Sequence, residues 1–370
     1  MTDVLPPPVA PQPDLAPTNL LADQPRKLAS RTRADTVEVV VAVVAGISVS
    51  FLLCLLLDWR HPATFGIWAV IGTLGVQWLL ARDRLGPTAA IDRFMTALVW
   101  VAAMAAVGIL AWLIVFLAAK GLTHIKPQLF TEDMSKSGPL DPTGGAWHAI
   151  VGTLQQTAIA TVVAVPLGIL TAVYLHELKG RISPVVRFVS DAMSGLPSIV
   201  AGLFILTLWV RTGNPLHGQS GIAAAAALVI VMLPIVTRTS EEILRTVDNG
   251  LRESALALGS PEWRTVLKIV LPTARAGLVT ASILGVARII GETAPLILAA
   301  GGSSSVNYNP FSGPQSALPL YVYELIKQPF KAQNDRAWAA AVVLVVLVLV
   351  LFVAARVISS RGTKKLGARR

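Results

Sequence analysis

Apolar residues gather in eight long runs along this chain, and the polar segments between them hold nearly all of the charge. The runs cover residues 37–57, 64–81, 95–119, 147–175, 192–210, 219–237, 275–300 and 337–355. A helix needs about 20 predominantly apolar residues to cross the hydrocarbon of a bilayer, and most of the runs reach that length. The pattern predicts an all-α integral membrane protein with about eight transmembrane helices. The fifth and sixth runs are marginal by themselves: Gly195 and Pro197 break the fifth early, and the sixth is short and contains Pro234. Pro166 lies in the fourth run, and Arg288, Glu292 and Pro295 lie in the seventh.

Composition agrees with the bilayer as the main solvent. Hydrophobic residues make up 54% of the 370 and charged ones 14%, against about 25% charged in a soluble domain; mean hydropathy is +0.65. The net charge of +10 is topological rather than a nucleic-acid surface, because the basic residues flank the apolar runs. With the N-terminus placed in the cytoplasm, 22 of the 31 Lys and Arg residues fall in inside segments and 8 in outside ones, Arg288 being left within a run. Both termini are therefore expected in the cytoplasm. Residues 1–35, rich in Pro, read as a disordered cytoplasmic tail without the early apolar core of a signal peptide, and 359–370 as a basic cytoplasmic tail.

Little else in the chain carries chemistry. Cys54, inside the first run, is the single cysteine and is assigned to packing. His61, His124, His148, His176 and His217 are scattered over loops and run ends, and are read as interfacial rather than as metal ligands. There is no Gly-x-x-x-x-Gly-Lys-Ser/Thr loop and no nucleophilic Ser or Cys motif with a placed base. No cofactor, metal or catalytic residue is expected, and any ATP must be hydrolysed by another chain.

Two charges stand inside the seventh run. Each costs about 2.5–3.5 kcal/mol at the bilayer centre on insertion scales, so such residues face the bundle interior and point by default to function. Arg288 and Glu292 are four apart and share one helix face. One reading is a buried ion pair that fixes packing. The other is an anion site, since the guanidinium fork suits a phosphate-like oxyanion. Thr293, and Ser198 at the Gly195-Leu196-Pro197-Ser198 break, offer further donors, because backbone freed at a broken span can meet an anion.

The longest inside loop, 237–275, is polar yet regular. Leu251 to Leu258 are good helix formers, Gly259 is placed as the left-handed residue that ends a helix, and Ser260 is expected to cap a second helix with Pro261 in its first position. That helix is expected to run toward Pro272. A helix-turn-helix for a DNA groove is disfavoured by Glu241, Glu242, Asp248, Glu253 and Glu262 and by the tether at both ends. The residues alone leave a connector and a docking knob both open.

Two stretches carry a family resemblance. Glu253-Ser254-Ala255, Gly259 and Ile269-Val270-Leu271-Pro272 resemble the cytoplasmic coupling motif of ABC-importer permeases, a Glu-Ala-Ala start, a Gly and then Ile-x-Leu-Pro, with Ser254 the one departure. Ala287 to Leu296 resembles the Ala-Arg-x-x-Gly-Glu-Thr-Ala-Pro-Leu signature of the A-type permease subunits of phosphate ABC importers, the PstA family. Further similar stretches are Pro166-Leu167-Gly168, Asp191 to Val200, Arg238 to Glu242, Leu318-Pro319 and Ala337 to Ala341, so the likeness spans roughly residues 95–358.

The resemblance implies a six-span permease domain over 94–358 with coupling loop 238–274, leaving 36–93 as an extra two-span hairpin that preserves the core's orientation. It implies a subunit that forms half of a phosphate path in a prokaryotic inner membrane. Its partners would be a homologous second permease, a cytoplasmic ATPase dimer and an extracytoplasmic phosphate-binding protein. Arg288 and Glu292 would lie on the phosphate path, with Thr293 and Ser198 beside them. Glu253, Ser254, Ala255, Gly259, Ile269, Leu271 and Pro272 would couple to the ATPase. The alternatives are a permease for sulfate or molybdate, and a passive channel or membrane scaffold.

Overall fold

The computed structural model describes residues 33–58, 61–210 and 218–367, with side-chain surroundings from 36 to 357. Most of the N-terminal tail, together with Arg60, Arg211, His217 and residues 368–370, lies outside them. The helices are α1 (Arg33–Leu56), α2 (Pro62–Leu85), α3 (Pro87–Gly121), α4 (Trp147–Val173), α5 (Ser183–Gly195), α6 (Ser198–Ile205), α7 (Gly221–Arg245), α8 (Asn249–Ala257), α9 (Glu262–Thr265), α10 (Leu271–Ile290), α11 (Ala294–Ala299), α12 (Leu318–Ile326) and α13 (Lys331–Gly367). Single π-turns extend α4 (Tyr174–Leu178) and α6 (Leu206–Val210), and a third (Val266–Val270) joins α9 to α10. Among the described residues, seven helices are long and apolar enough to cross a membrane, and the bent pair formed by α5 and the extended α6 makes up to eight. The chain is an all-α, multi-pass membrane protein.

Two compact units divide the chain, Met1–Ala111 and Trp112–Arg370. In the first, the buried Glu38 near the start of α1 is paired with Arg84 at 3.2 Å and Arg93 at 2.9 Å. One carboxylate thus ties the beginning of α1 to the end of α2 and the beginning of α3.

In the second unit α7 is the central element. Lipid is as apolar as Leu, so helices in a membrane associate by close packing of small residues rather than by burying oil from water. The face of α7 follows that rule, with Gly221, Ala223, Ala224, Ala225 and Ala227 buried. Leu228, Met232 and Val236 meet Ala160 and Ala164 of α4, Ile289 of α10 and Leu296 of α11. At one end of the bundle, Leu244 and Val247 pack with Val173, Val266 and Val270. At the other, Leu129, Ile150, Tyr321 and Val343 form a separate cluster.

The fifth run is broken at Gly195–Pro197, where α5 and the extended α6 meet at 106°. Other sequence expectations need correction. The seventh run is not one helix. It ends at Ile290 and restarts at Ala294, because Pro295 has no N–H to offer and its ring would strike the carbonyl of Gly291. Glu292 therefore sits in the break, not on a helix face. Pro272, expected to end a helix, lies within a continuous helical stretch from Glu262 to Ile290, since the π-turn just before it has already shifted the hydrogen-bond ladder. His148, at the start of α4, is buried, edge-on to the Tyr321 ring with centroids 5.0 Å apart.

Candidate functional site

Two broken spans meet at one cavity. Pro197 forces Leu196 into extended backbone (φ −73°, ψ 129°), which ends α5 and turns the chain before α6 restarts at Ser198. The second break is Gly291 to Thr293, between α10 and α11. The two restarted helices touch through Gly202 of α6: a Cβ there would stand 2.7 Å from the Cα of Pro295, so no larger residue lets these backbones meet.

Beside this contact lies a cavity of about 600 Å³, lined among others by Ser194, Pro197 and Ser198 at the first break, Arg238 and Thr239 of α7, and Arg288 of α10. Arg288 forms an ion pair with Glu292. The Glu292 side chain is 7% exposed and that of Arg288 57%, so the carboxylate is held inside while the guanidinium stands at the cavity. Arg288 lies in the last turn of α10, where the helix dipole favours a cation. Arg238 forms a second pair with Asp191, both about half exposed. The cavity thus has two guanidinium forks, each with one carboxylate partner, and a guanidinium's five N–H groups outnumber what one carboxylate accepts. The Ser194 hydroxyl is spent on the Ser190 carbonyl at 2.9 Å, but with those of Ser198 and Thr239 at its edge the donor set suits a tetrahedral oxyanion.

The four expected path residues do not converge equally. Ser198 and Arg288 line the cavity. Glu292 reaches it only through Arg288, and Thr293, half-buried at the N-terminus of α11, does not line it. Arg238, at the start of the loop 237–275 in the sequence, is the addition: it lines the cavity as well. Volume alone does not single the cavity out. A second one of about 600 Å³ is lined by Lys126, Lys331, Arg336, Glu132 and Asp335, but there Arg336 is committed to the Thr143 carbonyl and no broken span contributes.

The residues expected to couple lie apart from the cavity: Glu253, Ser254 and Ala255 in α8, Gly259 in the turn after it, Ile269 in the π-turn that follows α9, and Leu271 and Pro272 at the start of α10. Asp248 caps α8 by accepting from the Gly250 N–H at 3.0 Å. Gly259 ends it at φ +77°. The Gly259 N–H donates to Leu256 O at 2.9 Å and the Ser260 N–H to Ala255 O at 3.1 Å, the paired bonds of a left-handed helix stop. Ser260 does not cap the next helix, as expected from sequence; Pro261 takes that position and α9 begins at Glu262. Glu253, Ser254, Gly259 and Pro272 are exposed, Ala255 is buried, and Ile269 and Leu271 are half-buried. The Ser254 hydroxyl donates back to the Gly250 carbonyl at 2.7 Å, so serine adds no unsatisfied group where the motif has alanine. Large apolar side chains also stand out here, Leu258 89% and Trp263 55% exposed. Leu258 closes the apolar run Ala255 to Leu258, whereas Trp263 stands between the charged Glu262 and Arg264.

The family model of binding-protein-dependent transport system inner membrane components matches residues 164–364. The phosphate transport system permease protein PstA 1 of Mycobacterium tuberculosis (strain ATCC 25618 / H37Rv) is 40% identical over 289 residues, covering 78% of this chain and 92% of the relative. The PstA protein of Mycobacterium leprae is 42% identical over 241 residues, 65% of this chain and 79% of the relative. That of Pasteurella multocida is 36% identical over 257 residues, 69% and 89%. Among solved structures, a bacterial alginate ABC transporter in complex with an alginate pentasaccharide-bound periplasmic protein aligns with a TM-score of 0.55 at 16% identity, covering 76% of this chain and 99% of that one. This last likeness is one of fold.

Proposed function

We propose, since this chain belongs to the family of binding-protein-dependent transport system inner membrane components and within it to the PstA permeases, that it forms half of the translocation path of an ATP-driven phosphate importer. The observation that carries the reading is the pair of guanidinium groups, Arg288 and Arg238, on one cavity between broken spans. A conduction site must bind well enough to be entered and weakly enough to be left. The forks supply attraction for phosphate, and Glu292 and Asp191 limit it. Ser198 adds a hydroxyl at the start of α6, and Thr293 acts by holding the turn that carries Glu292.

In this reading α8 and α9 seat in a cytoplasmic ATPase dimer, with Leu258 and Trp263 filling apolar hollows. A homologous second permease completes the path, and an extracytoplasmic phosphate-binding protein delivers phosphate from the opposite face. Both termini are cytoplasmic in an inner membrane, and the hairpin 36–93 lies outside the six-span domain 94–358. ATP-driven closure of the ATPase moves α8, and the spans reorient around the cavity.

The test is uptake of labelled phosphate into vesicles holding the reconstituted complex and its binding protein. Uptake should need ATP and be competed by unlabelled phosphate, not by sulfate or molybdate. Competition by sulfate or molybdate assigns another oxyanion, and uptake without ATP points to a passive channel.

A further inference from the structure

Where α8 leaves the membrane-spanning bundle, one side chain joins three elements. Arg252 is in the first turns of α8, its side chain 15% exposed, and faces Glu177, 7% exposed, in the π-turn that ends α4. The pairing is bidentate. Nε donates to Glu177 Oε2 at 3.0 Å and Nη2 to Glu177 Oε1 at 2.8 Å. Nη2 also donates to the Leu244 carbonyl at 2.9 Å, and Nη1 to the Val247 carbonyl at 2.7 Å and to Asn249 Oδ1 at 2.9 Å. All five N–H groups of the guanidinium are therefore used. Leu244 is in the last turn of α7, whose last carbonyls have no partner within the helix, and Val247 follows in the link to α8.

The covalent link from α7 to α8 is only Thr246, Val247 and Asp248, held by local backbone bonds to Ile243 and Leu244 and by the Asp248 cap, and the side chains packed around Val247, Val266 and Val270 are apolar. Apolar packing permits sliding, whereas a bidentate ion pair fixes an angle. A buried pair of this kind is weak support for stability and is better suited to fixing one arrangement. What it fixes is informative, because α7 carries Arg238 and Thr239 of the cavity wall about two turns before its end.

We propose that Arg252 is a positioning residue that transmits movement of α8 to the ends of α4 and α7, and so to the cavity wall that holds Arg238. The proposal rests on the reading of α8 and α9 as the ATPase seat. Without Arg252 the ATPase should still dock and hydrolyse ATP, but its closure would be absorbed in the Thr246–Asp248 link.

The experiment compares Arg252→Gln, Glu177→Gln and the exchange Arg252→Glu/Glu177→Arg in the purified complex with its ATPase, second permease and binding protein, in vesicles. Three quantities are read: ATPase retained on the complex, ATP hydrolysed, and labelled phosphate accumulated per ATP. Each single variant should keep the ATPase and at least half of the hydrolysis while phosphate per ATP falls tenfold or more, and the exchange should recover part of that ratio. A ratio within twofold of wild type in Arg252→Gln overturns the proposal. So does loss of the chain or of the ATPase in both single variants, which would make the pair a folding or docking element. Failure of the wild-type complex to hold an ATPase instead sinks the docking reading itself.

Discussion

The Glu292 carboxylate is buried while the Arg288 guanidinium paired with it is more than half exposed at the cavity. The two partners are thus unequal: Arg288 is the ion-pair partner of a buried Glu292, and Arg288 has donors to spare. Breaking a buried pair by removing one partner costs about 3–5 kcal/mol, because a charge is left uncompensated. Here that charge is the carboxylate, so Arg288→Gln should destabilise the chain more than Glu292→Gln. The double variant should recover most of the thermal stability in detergent yet still lack phosphate uptake. Full uptake in the stable double variant would reduce the pair to a packing device.

At the turn between α8 and α9, Gly259 has a φ of +77° with open space around it. A β-branched residue there pays about 1–2 kcal/mol for left-handed backbone, and the helix stop shifts rather than clashes. Gly259→Val should lower co-purification of the ATPase, whereas Gly259→Asn, which tolerates that conformation, should keep it.

Leu258 and Trp263 test whether the same element is an interface. Exposed side chains of a lone chain change stability by about 0.5 kcal/mol or less when truncated, while an interface anchor costs about 2 kcal/mol or more of binding. Trp263→Ala should leave thermal unfolding of the isolated chain unchanged and weaken ATPase binding by at least tenfold. Unchanged binding would remove the docking role of this residue.

Gly202 should tolerate no side chain. An added Cβ meets the backbone of Pro295, not a movable side-chain end, so the strain falls on the contact between α6 and α11. Gly202→Ala should destabilise by about 1–3 kcal/mol and depress uptake with the coupling loop intact. Thermal unfolding and ATPase co-purification measured on one preparation separate the two effects.

Much of this architecture was legible in the sequence, because a bilayer leaves a coarse signature. A span such as 337–355 announces itself by length and lack of charge, and the Gly195–Pro197 break by the one residue that cannot donate. Gly259 was readable because few residues other than glycine adopt its backbone. What stayed hidden was of two kinds. One is competition between local rules: Pro272 reads as a stop until the π-turn before it is known, and Ser260 reads as a cap until Pro261 takes its place. The other is contact between residues far apart in sequence. Arg252 and Glu177 are 75 residues apart, and Arg238 joins Arg288 at one cavity only through the packing of α7 on α10. Charge counting put Arg238 and Arg252 in a cytoplasmic loop, because it assigns a side to each residue and says nothing of its neighbours.

The central claim, that phosphate passes the cavity beside Arg288, is tested most directly by thiol accessibility. Cys54 is the only cysteine, so a Cys54→Ser background carrying Ser198→Cys presents a single thiol at the cavity. In vesicles holding the full complex, a water-borne anionic thiol reagent should modify that cysteine, and cycling with ATP, binding protein and saturating phosphate should slow the reaction several-fold, while an Ile47→Cys control in α1 shows no phosphate effect. A cysteine at 198 that never reacts, or reacts at the same rate with and without phosphate, would contradict the route.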